Sequence, residues 1–147
     1  ERLVLSNTSA SIPAEVFAGR IAQVREQGVT GMADQILGRF FTPDFIAAGS
    51  PVFHSVREAL LQVDPMGYIA CCAAIRDMSL VSEISQINAP SLVIIGEQDQ
   101  STPAAMGEQI VSGISGCKKV VVPYAHIPLS EAPRDYAQIV TGFLLKT

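Results

Sequence analysis

Massed positive charge is missing from this chain, and its absence excludes whole classes of partner. The ten basic residues are scattered, Lys118-Lys119 is the only basic pair, and the formal net charge is −4. A nucleic acid or an anionic membrane surface is gripped by clustered Lys and Arg, so neither is expected as a partner. Long apolar runs are missing too: no stretch approaches the roughly 18 consecutive apolar residues of a bilayer span. The chain opens on Glu1-Arg2 and a strand-like run instead of a signal peptide, and so abrupt a start is expected of a truncated chain. Cysteine is scarce. Cys71 and Cys72 are adjacent and Cys117 is remote, which gives neither an even disulfide framework nor metal-ligand spacing, so a reducing cytoplasm is expected. The glycines form no G-x-G-x-x-G and no P-loop, which leaves no nucleotide site to propose. Upstream of Asp99 there is also no G-x-S-x-G elbow, the strand-to-helix turn on which a serine nucleophile is exposed.

What is present suits a folded domain. With 147 residues, 48% of them apolar and only 16% charged, the chain can bury a core. Arg2 to Asn7 reads as a short strand, and from there to about Ser85 the pattern is helical. Pro13 stands where a helix starts, Val16, Phe17, Ile21 and Val24 recur at helical spacing, and Gly28 ends the run. Further helices are expected over Thr30 to Phe40, from Thr42-Pro43-Asp44, over Val52 to Val63 and over Pro65 to Ile75, with no strand between them. After Pro90 the period changes. Ser91 to Ile95 is a continuous apolar run, as a strand buried on both faces reads. A helix from Thr102-Pro103 to about Ile114, a strand from Lys118 to Val122 and a closing helix from Glu131 to Leu145 complete the order. Strands joined by helical crossovers make a parallel sheet. There is no internal repeat, no low-complexity segment, and nothing at Ser85-Gln86 long enough for a flexible linker.

The chemistry-bearing residues lie in the last third. Asp99 follows the strand Leu92 to Ile95 within Gly96-Glu97-Gln98-Asp99-Gln100-Ser101-Thr102-Pro103, and His126 follows Val120 to Val122. An acid past one strand and a histidine past the next is the chain order of the last two members of a Ser…Asp…His triad. A serine hydroxyl does not ionise at neutral pH, so an imidazole must take its proton during attack, and a carboxylate on the other ring nitrogen fixes the tautomer. In so turn-rich a stretch an Asp could instead serve only as an Asx-turn or cap residue. Its place at the carboxyl end of a buried strand favours chemistry. Glu97, two residues nearer the strand, ranks below it, and His54, inside the Pro51 to Val63 segment, reads as an ordinary helical residue.

These residues carry a resemblance to the α/β-hydrolases, and within them to the 3-oxoadipate enol-lactonases. Leu3-Val4-Leu5-Ser6-Asn7-Thr8 resembles that family's sixth strand and the loop into its lid, and Asp64-Pro65-Met66-Gly67-Tyr68-Ile69-Ala70-Cys71-Cys72-Ala73-Ala74-Ile75-Arg76-Asp77 is similar to an enol-lactonase lid helix. Pro90 to Asp99 resembles the seventh strand with its acid, and His126 with Glu131 and Pro133 resembles the histidine loop and last helix. The resemblance implies an α/β chain, the C-terminal portion of an α/β-hydrolase fold: three parallel strands with helices, formed by residues 1–8 and 86–147, and an inserted all-helical lid over 9–85. The family's first five strands, its oxyanion loop and its serine elbow have no counterpart here.

The function so implied is cofactor-free opening of the 3-oxoadipate enol-lactone ring in aromatic-compound breakdown. Asp99 and His126 would be catalytic and the nucleophile would lie outside this chain, which alone is expected to be inactive. Arg76 is a candidate to bind the substrate's carboxylate, against the plainer reading of a salt bridge with Asp77. Cys71 and Cys72 could suggest the cysteine nucleophile used by some lactone hydrolases of this fold, but their helical setting favours packing. Another esterase or haloperoxidase-like parent, or a non-catalytic binding or assembly module, stays open. Expected partners are a small lactone or ester and, through the exposed edge of the Leu3 to Ser6 strand, a second copy or the missing N-terminal half.

Overall fold

A computed structural model describes residues 1–145. Three strands, β1 (Leu3–Ser6), β2 (Ser91–Gly96) and β3 (Lys118–Val122), form one parallel sheet in the order β1-β2-β3. Leu3 lies opposite Ser91 and Ser6 opposite Ile94, while Gly96 lies opposite Val122, so β2 and β3 end together and β1 stops two residues short of them. β2 is central and buried along its whole length. Its side chains alternate between faces. Val93 and Ile95 pack with Ile110 and Ile114 of α5 (Ala104–Gly113) and its C-cap, while Leu92 and Ile94 pack with Val122 and Phe143 of α7 (Pro133–Leu144). Helices thus cover both faces of the sheet, which is why β2 reads as an unbroken apolar run.

Between β1 and β2 lie α1 (Ala14–Phe40), α2 (Pro43–Ala48), α3 (Pro51–Leu61) and α4 (Pro65–Asp77). Three of the four open the same way. Thr42, Ser50 and Asp64 each accept a hydrogen bond from the backbone N–H three residues on, and each is followed by proline at the first helical position. α1 packs chiefly on α4 and also on α3. Its apolar stripe, Phe17, Ile21, Val24, Val29, Met32 and Ile36, meets Tyr68, Ile69 and Cys72 of α4 and Leu60 of α3.

Gly28 ends the first helical run, as expected: within α1 it stands at φ 68°, ψ 174°, a non-helical conformation open in practice only to glycine, and a second helical run follows the kink to Phe40. Other expectations are refined. Among the described residues no strand stands between these helices, and an isolated antiparallel bridge, Ser11 with Ser79, ties the block's entrance to its exit together with the bond from Leu80 N–H to Ala10 O. Ala10 and Ile84, inside the expected 9–85 lid, pack into the sheet's core cluster. The closing helix is two: α6 (Pro128–Glu131) and α7, split at Ala132 (φ −143°) because the residue before Pro133 is pushed out of the helical region.

Replacing Gly28 by alanine is therefore expected to destabilise the chain by about 1–3 kcal/mol. Gly38→Ala, at an open helical site where nothing approaches within 4 Å, should be neutral or stabilising by up to ~1 kcal/mol. Urea unfolding of the two variants checks both signs.

Candidate active site

The carboxyl ends of the three strands bring together residues far apart in sequence. Asp99, whose side chain is fully buried, receives five hydrogen bonds. Its Oδ1 accepts from the backbone N–H groups of Ser101 (2.7 Å) and Thr102 (2.9 Å), closing the turn into α5. Its Oδ2 accepts from Thr102 Oγ1 (2.7 Å), Asn7 Nδ2 (3.0 Å) and His126 Nδ1 (2.8 Å). The turn-capping and histidine-pairing readings of Asp99 are thus both realised, one on each oxygen.

Burial alone would raise the Asp99 pKa, but the bonds from His126 and from the Thr102 side chain and backbone outweigh it and hold the carboxyl below its ordinary value. An ionised carboxylate only accepts, so Nδ1 of His126 carries its proton toward Asp99 and Nε2 is the nitrogen left to take another. The imidazole is partly exposed and lines a cavity of about 570 Å³ between the strand ends and the helical block.

Asn7, which sequence reading passed over, is the junction of the three strand ends. It stands just past β1 at φ 47°, donates to both Asp99 Oδ2 and Ala125 O (2.8 Å), and accepts from Ser6 Oγ. Gly96 makes room for it. A Cβ there would lie 2.6 Å from Asn7 Nδ2 and 2.5 Å from Ala125 O. The only signal in the sequence was the turn-prone Asn7-Thr8-Ser9, which marks a loop and says nothing of a partner 92 positions away.

The helical block also reaches the histidine. Phe40, at the end of α1, stacks on the His126 ring (centroids 5.1 Å apart, planes at 30°), and its carbonyl accepts from the His126 and Ile127 N–H groups. The cavity wall is mostly apolar, with Phe17, Tyr68, Ile75 and Met106 among its residues. Arg20 and Arg39 line it as well, and neither has an acidic partner among the described residues. Arg20 lies over the Phe17 ring and beside the Tyr68 hydroxyl.

The other candidates lie elsewhere or take other roles. Arg76 does not line the cavity: Nε and Nη2 grip Asp77 at 2.7 and 2.9 Å on the exposed surface, so the guanidinium is already occupied by the adjacent carboxylate. Glu97 is exposed and away from the cavity, and His54 meets Phe53 edge-on in α3. Cys71 and Cys72 do line the cavity from α4, but Cys72 is buried and burial pushes its thiol up, away from the thiolate a nucleophile needs. Among the described residues no cluster could hold a metal ion, and no helix is long and apolar enough to cross a membrane.

The chain is 31% identical to 3-oxoadipate enol-lactonase 2 of Acinetobacter baylyi over 144 residues, 97% of this chain and 54% of that protein. The crystal structure of the enol-lactonase from Burkholderia xenovorans LB400 superposes with a TM-score of 0.95 at 31% identity, over 99% of this chain and 56% of that one. That of a hydrolase from Pseudomonas aeruginosa PA01 gives 0.89 at 34% identity, over 98% and 55%. The chain carries the lid and last strands of an α/β-hydrolase. It resembles 3-oxoadipate enol-lactonase and spans about half the length of the curated relatives it matches. No family model matches it.

The depressed pKa of Asp99 has a stability consequence. Its contribution is fully present above the unfolded carboxyl value of about 4 and is lost as pH falls through the lower folded value. Asp99→Asn should therefore unfold more easily than the parent chain at pH 7, by about 1–3 kcal/mol for donors left unpaired. The gap should narrow by pH 3. Urea titrations at the two pH values test this, and a gap that stays constant would mean that Asp99 is not ionised in the folded state.

Proposed function

We propose that the full protein, of which this chain forms about half by comparison with its relatives, hydrolyses the enol-lactone of 3-oxoadipate through a Ser-His-Asp mechanism. The observation that carries the reading is the Asp99–His126 pair, with His126 at the edge of an apolar cavity lined by two guanidinium groups that have no acidic partner among the described residues. A serine from the segment outside this chain attacks the lactone carbonyl. Nε2 of His126 takes the hydroxyl proton and returns it to the leaving enol oxygen, a water then attacks the acyl-enzyme by the same route, and Asp99 holds the imidazole and stabilises its charged form. The substrate's carboxylate arm would meet Arg20 or Arg39, the role that sequence reading offered to Arg76. No cofactor is needed for this chemistry.

Removal of the nucleophile and the oxyanion hole leaves nothing to form the acyl bond, so the 147-residue chain is inert in this reading. The three free cysteines suit a reducing, cytoplasmic setting. The open side of β1 pairs with the upstream segment or, without it, with a second copy.

Two assays test the proposal. The isolated chain should show no turnover of enol-lactone or p-nitrophenyl acetate above buffer. With the upstream segment restored, Asp99→Asn and His126→Ala should each lower kcat by about a thousandfold or more, while Cys71→Ala changes it little. Arg20→Met or Arg39→Met should raise KM for the anionic lactone while sparing a neutral ester. Full activity in His126→Ala would overturn the mechanism, and equal losses on both substrates would overturn the carboxylate assignment.

A further inference from the structure

Glu131 is partly exposed and belongs to the short helix α6, yet its carboxylate accepts hydrogen bonds from two other segments. Oε1 accepts from the backbone N–H of Ala125 (3.0 Å), the residue before His126. The same oxygen accepts from Thr42 N–H (3.3 Å), and Oε2 accepts from Thr42 Oγ1 (2.6 Å). Thr42 is the N-cap of α2, two residues beyond the Phe40 carbonyl that receives the His126 and Ile127 N–H groups. Thr42 and Phe41 are buried, so these bonds lie where water competes poorly.

We infer that Glu131 is a positioning residue: a strap that fastens the lid at Thr42 to the Ala125 N–H, next to His126, so that seating of the lid and setting of the imidazole against Asp99 are one event. Three links support the coupling. Glu131 joins Thr42 to Ala125, the Phe40 carbonyl joins the lid to His126 and Ile127, and the Phe40 ring lies on the imidazole. A lid that lifted away would break the Thr42–Glu131 bonds and take the Phe40 carbonyl and ring with it, leaving the His126 and Ile127 N–H groups without their acceptor and Glu131 held to Ala125 alone. The inference rests on the proposed function only in taking His126 as the base. Its test is therefore read from the imidazole itself, so that a wrong substrate and a failed strap give different results.

The decisive variants separate the strap from the helix cap, because Thr42 serves both. Thr42→Asp keeps a side-chain acceptor for the Phe45 N–H but sets a second carboxylate against Glu131. Glu131→Gln keeps an oxygen for Ala125 N–H and gains an N–H donor, so the double variant T42D/E131Q rebuilds the strap with reversed polarity. The measurement is NMR hydrogen exchange on the 147-residue chain at the His126 Nδ1 proton and the Ala125, His126 and Ile127 amides, with Val93 and Ile94 in β2 as internal references. T42D and E131A should speed exchange around His126 by about tenfold or more while the references hold, the effect of losing a charge-assisted bond of roughly 1.4 kcal/mol or more. E131Q and the double variant should stay within about threefold of the parent. A merely structural role would move the β2 amides by the same factor, and that result, or parent-like exchange at His126 in T42D, or no rescue in T42D/E131Q, overturns the inference. If E131A does not fold, T42D and its rescue decide the matter alone.

Discussion

The structure turns on one buried carboxylate. An ionised Asp withdrawn from water is costly unless every lone pair is answered, and Asp99 is answered by five donors drawn from three places: the end of β1, its own turn, and the loop after β3. That requirement explains features that would otherwise look unrelated. Asn7 takes a left-handed conformation to aim its amide at Asp99, Gly96 lacks a side chain so that the amide can approach, and Thr102 at the foot of α5 gives both its N–H and its hydroxyl. The parallel sheet serves this arrangement because its strands all run in one direction and deliver their following residues to one edge.

A second constraint acts where the helical block meets the sheet. Helices α1 to α4 bury their apolar stripes mainly against one another, so few contacts remain to fix the block over the strand ends. Besides Ala10 and Ile84 in the sheet's core, the meeting is made by polar groups, the Phe40 carbonyl against the histidine loop and Thr42 against Glu131. Hydrogen bonds of this kind are directional, so they set orientation more sharply than apolar contact does. The cavity forms in the gap they leave, and Arg20 and Arg39 stand in its apolar wall where a charge is weakly screened and an anion would be held strongly.

How far the sequence was legible follows from which signals are local. Strand β2 could be read because burial on both faces leaves an unbroken apolar run, and α2, α3 and α4 because each opens on a capping residue followed by proline. Asp99 and His126 stood out because each follows a strand. Asn7 and Glu131 did not show their contacts, since their partners lie 92 positions and, for Glu131 with Thr42, 89 positions away, and pairing at that distance is decided by the fold alone. Arg76 failed as a cavity residue for the same reason. Position on a lid helix gives no azimuth, and the face that looks into the cavity presents Tyr68, Cys71, Cys72 and Ile75, while Arg76 is satisfied by the next residue in the chain. The split of the last helix at Ala132 was legible in principle from Pro133, which acts on the residue before it.

The same local logic explains how three strands can hold an ordered acid–histidine pair. All five donors to Asp99, the acceptors of the Ala125, His126 and Ile127 N–H groups, and the ring that covers the imidazole belong to this chain. The imidazole and its carboxylate partner are therefore set by groups of this chain. In the proposed reaction that division matters. Preorganisation removes the reorganisation that would otherwise accompany proton transfer, and the segment outside the chain has only to present a hydroxyl and oxyanion donors to a geometry already in place. Cys71 and Cys72 border the same cavity, but they lie within a helix and burial pushes the Cys72 thiol up, away from the thiolate that a nucleophile needs.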